Sequence, residues 1–463
     1  MPVINYDAKT KMAGNYPVFH KLGAINRSGE MTPFVWKGRL MRMELFDPSM
    51  GTNCHLTVGA LIRDVETGEV VSTVGAGGYF FSAYVEDETV YVLGRQRNDG
   101  STIWIHKSTD LKNWESRILF RREGWQYYNT ALTKGPDGYV LLLECSDPPE
   151  LIGQKFTYFF ATSKDLYNWE DCGHIVEPVL DDKKSIFHPN RRMDRPHIIK
   201  NEKIGKYVLW LKYCDKMHFA VLTADHLLGP YTLINPFLRP YGKKAGDFDL
   251  AVDQKTGDAY IYFEANHDSV LVAQLNESYT DVEGDYQIIY SDMKPPLTRE
   301  GVVHFAYGGK HYILTSGMTG YVPNPSEVAV SDDWMGPYTV LGNPHVNDDS
   351  SASFNSQASD AFQIAGTDKI IIMADRWVPD FVMTKERYDV IHRAIASNYN
   401  KNIKATMQEK IEMMKSPMMG SADTSIADYV WLPVDWEGEM PMIHWRDAWK
   451  LKVIQKEGDE NYA

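Results

Sequence analysis

What most constrains this chain is that it copies itself. STDLKNW at 108–114 returns as SKDLYNW at 163–169, 55 residues on, and LGPY at 228–231 returns as MGPY at 335–338, 107 residues on. LNESY at 275–279 stands roughly halfway between the last two. Each of these five segments follows a strand-like run, so each reads as the outer turn of one repeated module. The modules also begin alike. GPDGYVLLL (135–143), IGKYVLWL (204–211), TGDAYIYF (256–263) and GGKHYIL (308–314) place a turn ahead of a strand rich in Tyr, Val, Ile and Leu, after a short apolar strand. Turn residues between such runs mean hairpins. FTYFFA (156–161) and SVLVA (269–273) supply a third strand, and a fourth follows the Trp or GPY turn.

Four antiparallel strands recurring about every fifty residues describe a β-propeller blade. One blade cannot bury both faces alone, so the modules must pack radially. Module starts fall near Thr32, Ser82, Asn129, Asp194, Asp247, Glu300 and Gln357, which makes seven candidate blades. Two stacked β-sandwiches are the rival arrangement, but sandwiches do not give turns at a constant offset. The expected organisation is all-β: one propeller catalytic domain over 1–440, with extra or divergent blades in 1–190, regular blades in 190–440 and a closing segment at 441–463. Residues 384–418, rich in Lys, Glu, Met and Ala, read as a helical insertion in the last blade, a solvated cover over a propeller edge.

Composition narrows the function classes. Lys and Arg number 48 against 62 Asp and Glu, a net charge of −14. That balance repels phosphate backbones and anionic lipid, so neither nucleic acid nor a membrane surface is the expected partner. No apolar run approaches the roughly eighteen residues of a membrane-spanning helix. The four cysteines, Cys54, Cys145, Cys172 and Cys214, have neither C-x-x-C nor metal-finger spacing and form no disulfide framework. The N-terminus has no basic region followed by an apolar one, so the cytoplasm is the default, with secretion or the periplasm where a signal has been removed. Aromatic residues reach 12%, which suits strands and sugar-stacking surfaces alike.

In a propeller the innermost strands point their first residues at the central axis. Asp194, Asp247, Glu300 and Gln357 stand at such positions, separated by 53, 53 and 57 residues. Three carboxyls and an amide would then converge from four modules. Converging carboxyls repel when ionised, so at least one pKa rises, and a proton donor at neutral pH is what glycosidic cleavage requires. An inverting glycosidase further needs its acid and its water-activating base roughly 6.5–9.5 Å apart, a span that a wide funnel accommodates.

From Asp194 onward the chain resembles glycoside hydrolase family 43, most closely its exo-β-1,3-galactanases (galactan 1,3-β-galactosidases). The matching segments are RPHIIKN (195–201) with KYVLW (206–210), GDF (246–248), REG (299–301), SGMTGYVPN (316–324) with MGPY (335–338), FNSQ (354–357), MADRW (373–377) and YVWLP (429–433). The resemblance implies a hydrolase that removes a terminal sugar of β-galactoside type from an oligosaccharide or polysaccharide, with inversion. An α-L-arabinofuranosidase or β-xylosidase on the same scaffold, and a carbohydrate-binding propeller without hydrolysis, are the alternatives. Carried over by position, Glu300 matches the general acid and Asp247 the carboxylate that orients it and raises its pKa. Gln357 matches the glutamine where a water-activating group is needed. Asp194 falls where the subgroup has a substrate-binding glutamate one methylene longer. The family norm is five blades, and its usual base, an aspartate on the first blade, has no clear counterpart. The blade before Asp194 offers Asn129, whose amide is a poor base.

Further candidates for substrate binding are Glu264, at the end of a second strand, and His188 at the pocket rim, each more often structural. Tyr321 and Trp377 suit stacking on a pyranose as well as packing. Asp249 competes with Asp247, since period two would put both on one side of a strand. Asp194 has Arg192 and Arg195 as ready ion-pair partners, and Asp375 and Arg376 read as a structural pair. His304 and His311 carry no ligand spacing, so no catalytic metal and no cofactor are expected, and a structural Ca²⁺ on the axis stays open.

Overall fold

The repeated turns are closed by the same bonds in each copy. In the computed structural model, which describes residues 3–4, 18–20, 31–46, 58–64, 67–96, 98–135, 137–146, 157–188, 190–364, 368–418, 422, 424 and 427–450, Ser108 and Ser163 each accept the backbone N–H of a leucine three residues on, both at 2.9 Å. Asp110 and Asp165 each accept the N–H of the following asparagine at 2.8 Å. Those leucines, Leu111 and Leu166, have φ of 57° and 65°. Side chains other than glycine rarely adopt that region, and here burial of the leucine and the flanking Asp turn hold it. In the GPY copies Tyr231 and Tyr338 donate to the carbonyl four residues upstream, Leu227 and Trp334, at 2.7 and 3.0 Å.

Between these turns the described residues fold into seven antiparallel blades, at 31–74, 78–121, 126–174, 193–238, 245–290, 299–342 and 357–444. All seven expected module starts lie in the first strands of these sheets. The first strands of consecutive blades pack side by side within blades 1–3 and again within blades 4–7, the inner-strand arrangement of a propeller. Blade 7 carries two extra parallel strands: Val3–Ile4 beside its inner strand and His345–Val346 beside its outer one. Val18–His20 pairs with Ala448–Lys450.

The core lies between blades, where neighbouring faces interleave. Trp210 and Phe219 of blade 4 pack on Phe248 and Phe263 of blade 5. Tyr262 and Val270 of blade 5 meet Val302 and Ile313 of blade 6, and Phe305 and Tyr312 of blade 6 meet Ile370 and Val430 of blade 7. Removal of this apolar area from water is what a single blade lacks.

The helical insertion splits blade 7 between its second and third strands as α1, Lys385–Tyr399, and α2, Met407–Lys415. Thr384 caps α1 and Thr406 with Glu409 forms a capping box on α2. Ile391 and Ile395 of α1 are buried against Val322, Ala352 and Met383. The insertion therefore braces the connection that follows the second strand of blade 6, rather than lying loose on an edge.

One irregularity positions the site. The first strand of blades 2 to 7 slips register against its neighbour, at 79–82, 127–130, 194–197, 245–248, 300–303 and 358–360. A bulge near a strand's start kinks it and re-aims the side chains around it.

Candidate active site

Asp247 sits inside the bulge of blade 5, between the paired residues Ala245 and Phe248. Its carboxylate meets Arg195 Nη2 at 2.7 Å and Lys212 Nζ at 2.8 Å, and accepts the backbone N–H of Gly301 at 3.2 Å. Burial pushes its pKa up, but Arg195 and Lys212 outweigh burial and hold it below the ordinary carboxylate range. It stays ionised. The bulge also breaks the period of two. Asp249 does not share the place of Asp247: it accepts the N–H of His304 at 2.7 Å and stands 3.5 Å from His197.

Glu300 precedes the bulge of blade 6, with Gly301 at φ 61° as the bulge residue. A Cβ at position 301 would lie 3.1 Å from Ser316 Oγ and 3.2 Å from Gln357 Cγ, so the strand closes this tightly only with glycine there. Gln357 begins the inner strand of blade 7, and its amide nitrogen reaches Ser316 Oγ at 2.6 Å and Glu300 Oε1 at 3.4 Å. The pKa of Glu300 rises from 4.5 to about 7, first through burial and then through the negative charge of Asp247. Arg195, Gln357 and Lys212 pull the other way and lose. Two carboxyls on adjacent inner strands thus differ in kind, one charged and one carrying a proton near neutral pH.

The other expected residues have partners of their own. Asp194 stands on the inner strand of blade 4, but its carboxylate takes the Cys214 thiol at 2.8 Å and Arg192 at 3.7 Å. Of its two expected ion-pair partners, Arg192 is the one found, and Arg195 turns to Asp247. Glu264 is tucked under the bulge of blade 5. Its side chain is 1% exposed and holds the backbone N–H of His267 at 2.5 Å and the His267 ring at 3.2 Å. That places Glu264 as a brace beneath the site, the commoner fate of a hairpin-end carboxylate. Asn129 is exposed on blade 3 and donates to Glu144 at 2.8 Å. His188 is buried and accepts the N–H of Asn190 at 3.1 Å, closing its own loop. Tyr321 and Trp377 face one another with ring centroids 5.6 Å apart. The expected Asp375–Arg376 pair does not form: Arg376 makes a two-pronged bond to Asp428 at 3.1 and 3.0 Å. Adjacent strand residues point to opposite faces, so Asp375 is left on the other side.

Sequence reasoning missed Lys212, Ser316 and the central part of Arg195. The signal was present. Lys212 and Ser316 are polar interruptions at the ends of apolar second strands, directly across from Asp194 and Glu300. Among the described residues no group of three or more His, Cys, Asp or Glu side chains is placed to hold a metal ion. No helix among them is long and apolar enough to cross a membrane.

The model of the glycosyl hydrolases family 43 matches residues 155–395, more than half of the chain and all the strands that build this site. The chain belongs to that family. No curated protein sequence matches the chain. Solved structures of family 43 do. The β-1,3-galactosidase BT0265 is 22% identical over 87% of this chain and 64% of its own, with a TM-score of 0.47. The exo-β-1,3-galactanase from Phanerochaete chrysosporium, in complex with β-1,3-galactotriose, is 17% identical over 84% of this chain and 66% of its own, with a TM-score of 0.44. That from Clostridium thermocellum is 17% identical, at 84% and 64% coverage and a TM-score of 0.40. The chain spans less than two thirds of BT0265. Family 43 membership fits a propeller with convergent carboxyls.

Proposed function

We propose that this family 43 chain is an inverting exo-glycosidase that removes a terminal sugar, of β-galactoside type, from an oligosaccharide or polysaccharide. One observation carries the reading: Glu300 holds a proton to about pH 7 beside a permanently charged Asp247. Glu300 gives that proton to the leaving glycosidic oxygen. Asp247 keeps the acid protonated through its charge, and through Gly301 it fixes the backbone next to it. Gln357, already bonded to Ser316, is placed to orient the attacking water. Tyr321 and Trp377 offer aromatic faces to a pyranose. The preference for galactose rests on the motif matches of residues 195–433 and is the finer part of the proposal.

The test is a panel of nitrophenyl β-galactoside, α-L-arabinofuranoside and β-xyloside together with β-1,3-linked galacto-oligosaccharides. Turnover of the galactosides, lost in Glu300→Gln with sugar binding retained, supports the reading. Turnover confined to a furanoside or xyloside moves the substrate, and binding without turnover in the wild type makes the chain a lectin.

A further inference from the structure

The site as drawn has an acid and an amide but no group able to take the proton of the attacking water. The structure offers one on blade 7. Asp375 lies on the second strand, and its Cα is the register partner of Gln357. Side chains directly opposite in an antiparallel pair share a face, with Cβ atoms about 4.5–5.5 Å apart. Since the Gln357 side chain runs to Glu300 and Ser316, Asp375 faces the same place. Its neighbour Arg376 is spent on Asp428 from the opposite face. Among the described residues the Asp375 carboxylate takes no hydrogen bond, and the charge that acts on it is that of Arg195, the guanidinium that also acts on Asp247 and Glu300.

We infer that Asp375 is the general base of this site, holding and deprotonating a water that Gln357 orients. The inference rests on the hydrolase reading above. In the step, the water oxygen forms a bond to the anomeric carbon as the bond to the leaving oxygen breaks. Glu300 gives its proton to that oxygen, and Asp375 takes one from the water. Exchange of one proton each with solvent then restores both carboxyls, so no other reactant is needed. A half-buried carboxyl raised above its ordinary value by burial suits the role, because a base acts best when its pKa lies not far below the working pH. The groups around Asp375 are Arg195 of blade 4, whose charge acts on it, and Gln357 and Tyr429 of blade 7, its register partners on the first and third strands.

The experiment uses the glycoside that the wild type turns over. Asp375→Asn is expected to lower kcat by roughly 10²–10⁴-fold, to leave KM nearly unchanged and to erase the acidic limb of the pH profile while keeping the alkaline limb. Sodium azide is expected to restore turnover of Asp375→Ala with a glycosyl azide of inverted configuration, which a merely structural residue would not permit. Asp375→Glu, a conservative variant that guards against a folding defect, should keep the acidic limb at reduced kcat. If Asp375→Asn, or Asp375→Ala should the amide variant not fold, keeps kcat within threefold and an unaltered profile while Glu300→Gln is inactive, the base lies elsewhere and the hydrolase reading survives. If the wild type turns over no glycoside, that reading fails and this one with it.

Discussion

At the scale of single residues, the site rests on one carboxyl being made unlike its neighbour. Glu300 and Asp247 sit on adjacent inner strands, yet Arg195 and Lys212 both turn to Asp247. Glu300 is left with burial, a like charge and an amide. The consequence for stability has a definite sign. In the unfolded chain Glu300 ionises near 4.5, and in the folded one near 7, so the folded state is favoured at low pH and loses that contribution as pH rises through the interval. The gap corresponds to at most on the order of 3 kcal/mol, less after discounting for the solvent-facing edge of the side chain. Glu300→Gln should therefore unfold at a higher temperature than the wild type above pH 7 and show a flatter dependence of Tm on pH between 5 and 8; parallel Tm curves would contradict the assignment. Asp247→Asn should move the alkaline limb of kcat/KM to lower pH, because the charge that raises Glu300 is gone. It should also destabilise the fold, toward the low end of roughly 3–5 kcal/mol, since Arg195 and Lys212 lose their shared partner but still reach solvent. A limb that stays in place on titration of kcat/KM would show that Asp247 acts by packing alone.

At the scale of elements, the propeller was legible because a turn repeated with its hydrogen bonds is visible as letters: Ser, Asp, Leu and Asn each have a job in closing it. The starts of the inner strands were legible for the same reason. What spacing could not show is the bulge, which leaves no mark in hydrophobic periodicity, and so Asp249 stood as a competitor to the favoured Asp247. Nor did attention to inner strands reach the partners across the ladder. Lys212, Glu264, Ser316 and Asp375 all stand at or near the ends of second strands, and only Glu264 was singled out for the site. The Asp375–Arg376 pair failed because neighbours along a strand point apart, a rule available from sequence alone. The bulge gives its own prediction. A Cβ on Gly246 would fall 1.5 Å from Glu264 Oε2, and Glu264, buried and bonded to His267, has little room to yield. Gly246→Ala should cost about 1–3 kcal/mol by overpacking and reduce kcat by displacing Asp247. Denaturant unfolding and steady-state kinetics on the same variant test both halves, and a variant of wild-type stability would mean that the bulge is not rigid.

At the scale of the whole molecule, radial repetition explains why groups so far apart in sequence can serve one bond. Asp247, Glu300 and Gln357 come from blades 5, 6 and 7, and Arg195 and Lys212 from blade 4. Blades 4 to 7 are held by burial against one another, so the spacing of the functional groups is set by blade packing rather than by a loop. That arrangement predicts the stereochemistry. In the proposed mechanism the proton donor stands on blade 6, and the water-orienting amide and Asp375 stand on blade 7, so acid and base come from neighbouring blades. A retaining enzyme would need a carboxylate about 5–5.5 Å from the acid, free to attack carbon. Asp247, the carboxylate beside Glu300, is pinned by two cations and a backbone N–H and is ill suited to form a covalent bond. Hydrolysis of a β-linked substrate should accordingly release the α-anomer first, seen by proton NMR within the first minutes, before mutarotation mixes the products. Release of the β-anomer would require a carboxylate nucleophile, and Asp375, which among the described residues takes no hydrogen bond, would then attack carbon itself instead of activating a water.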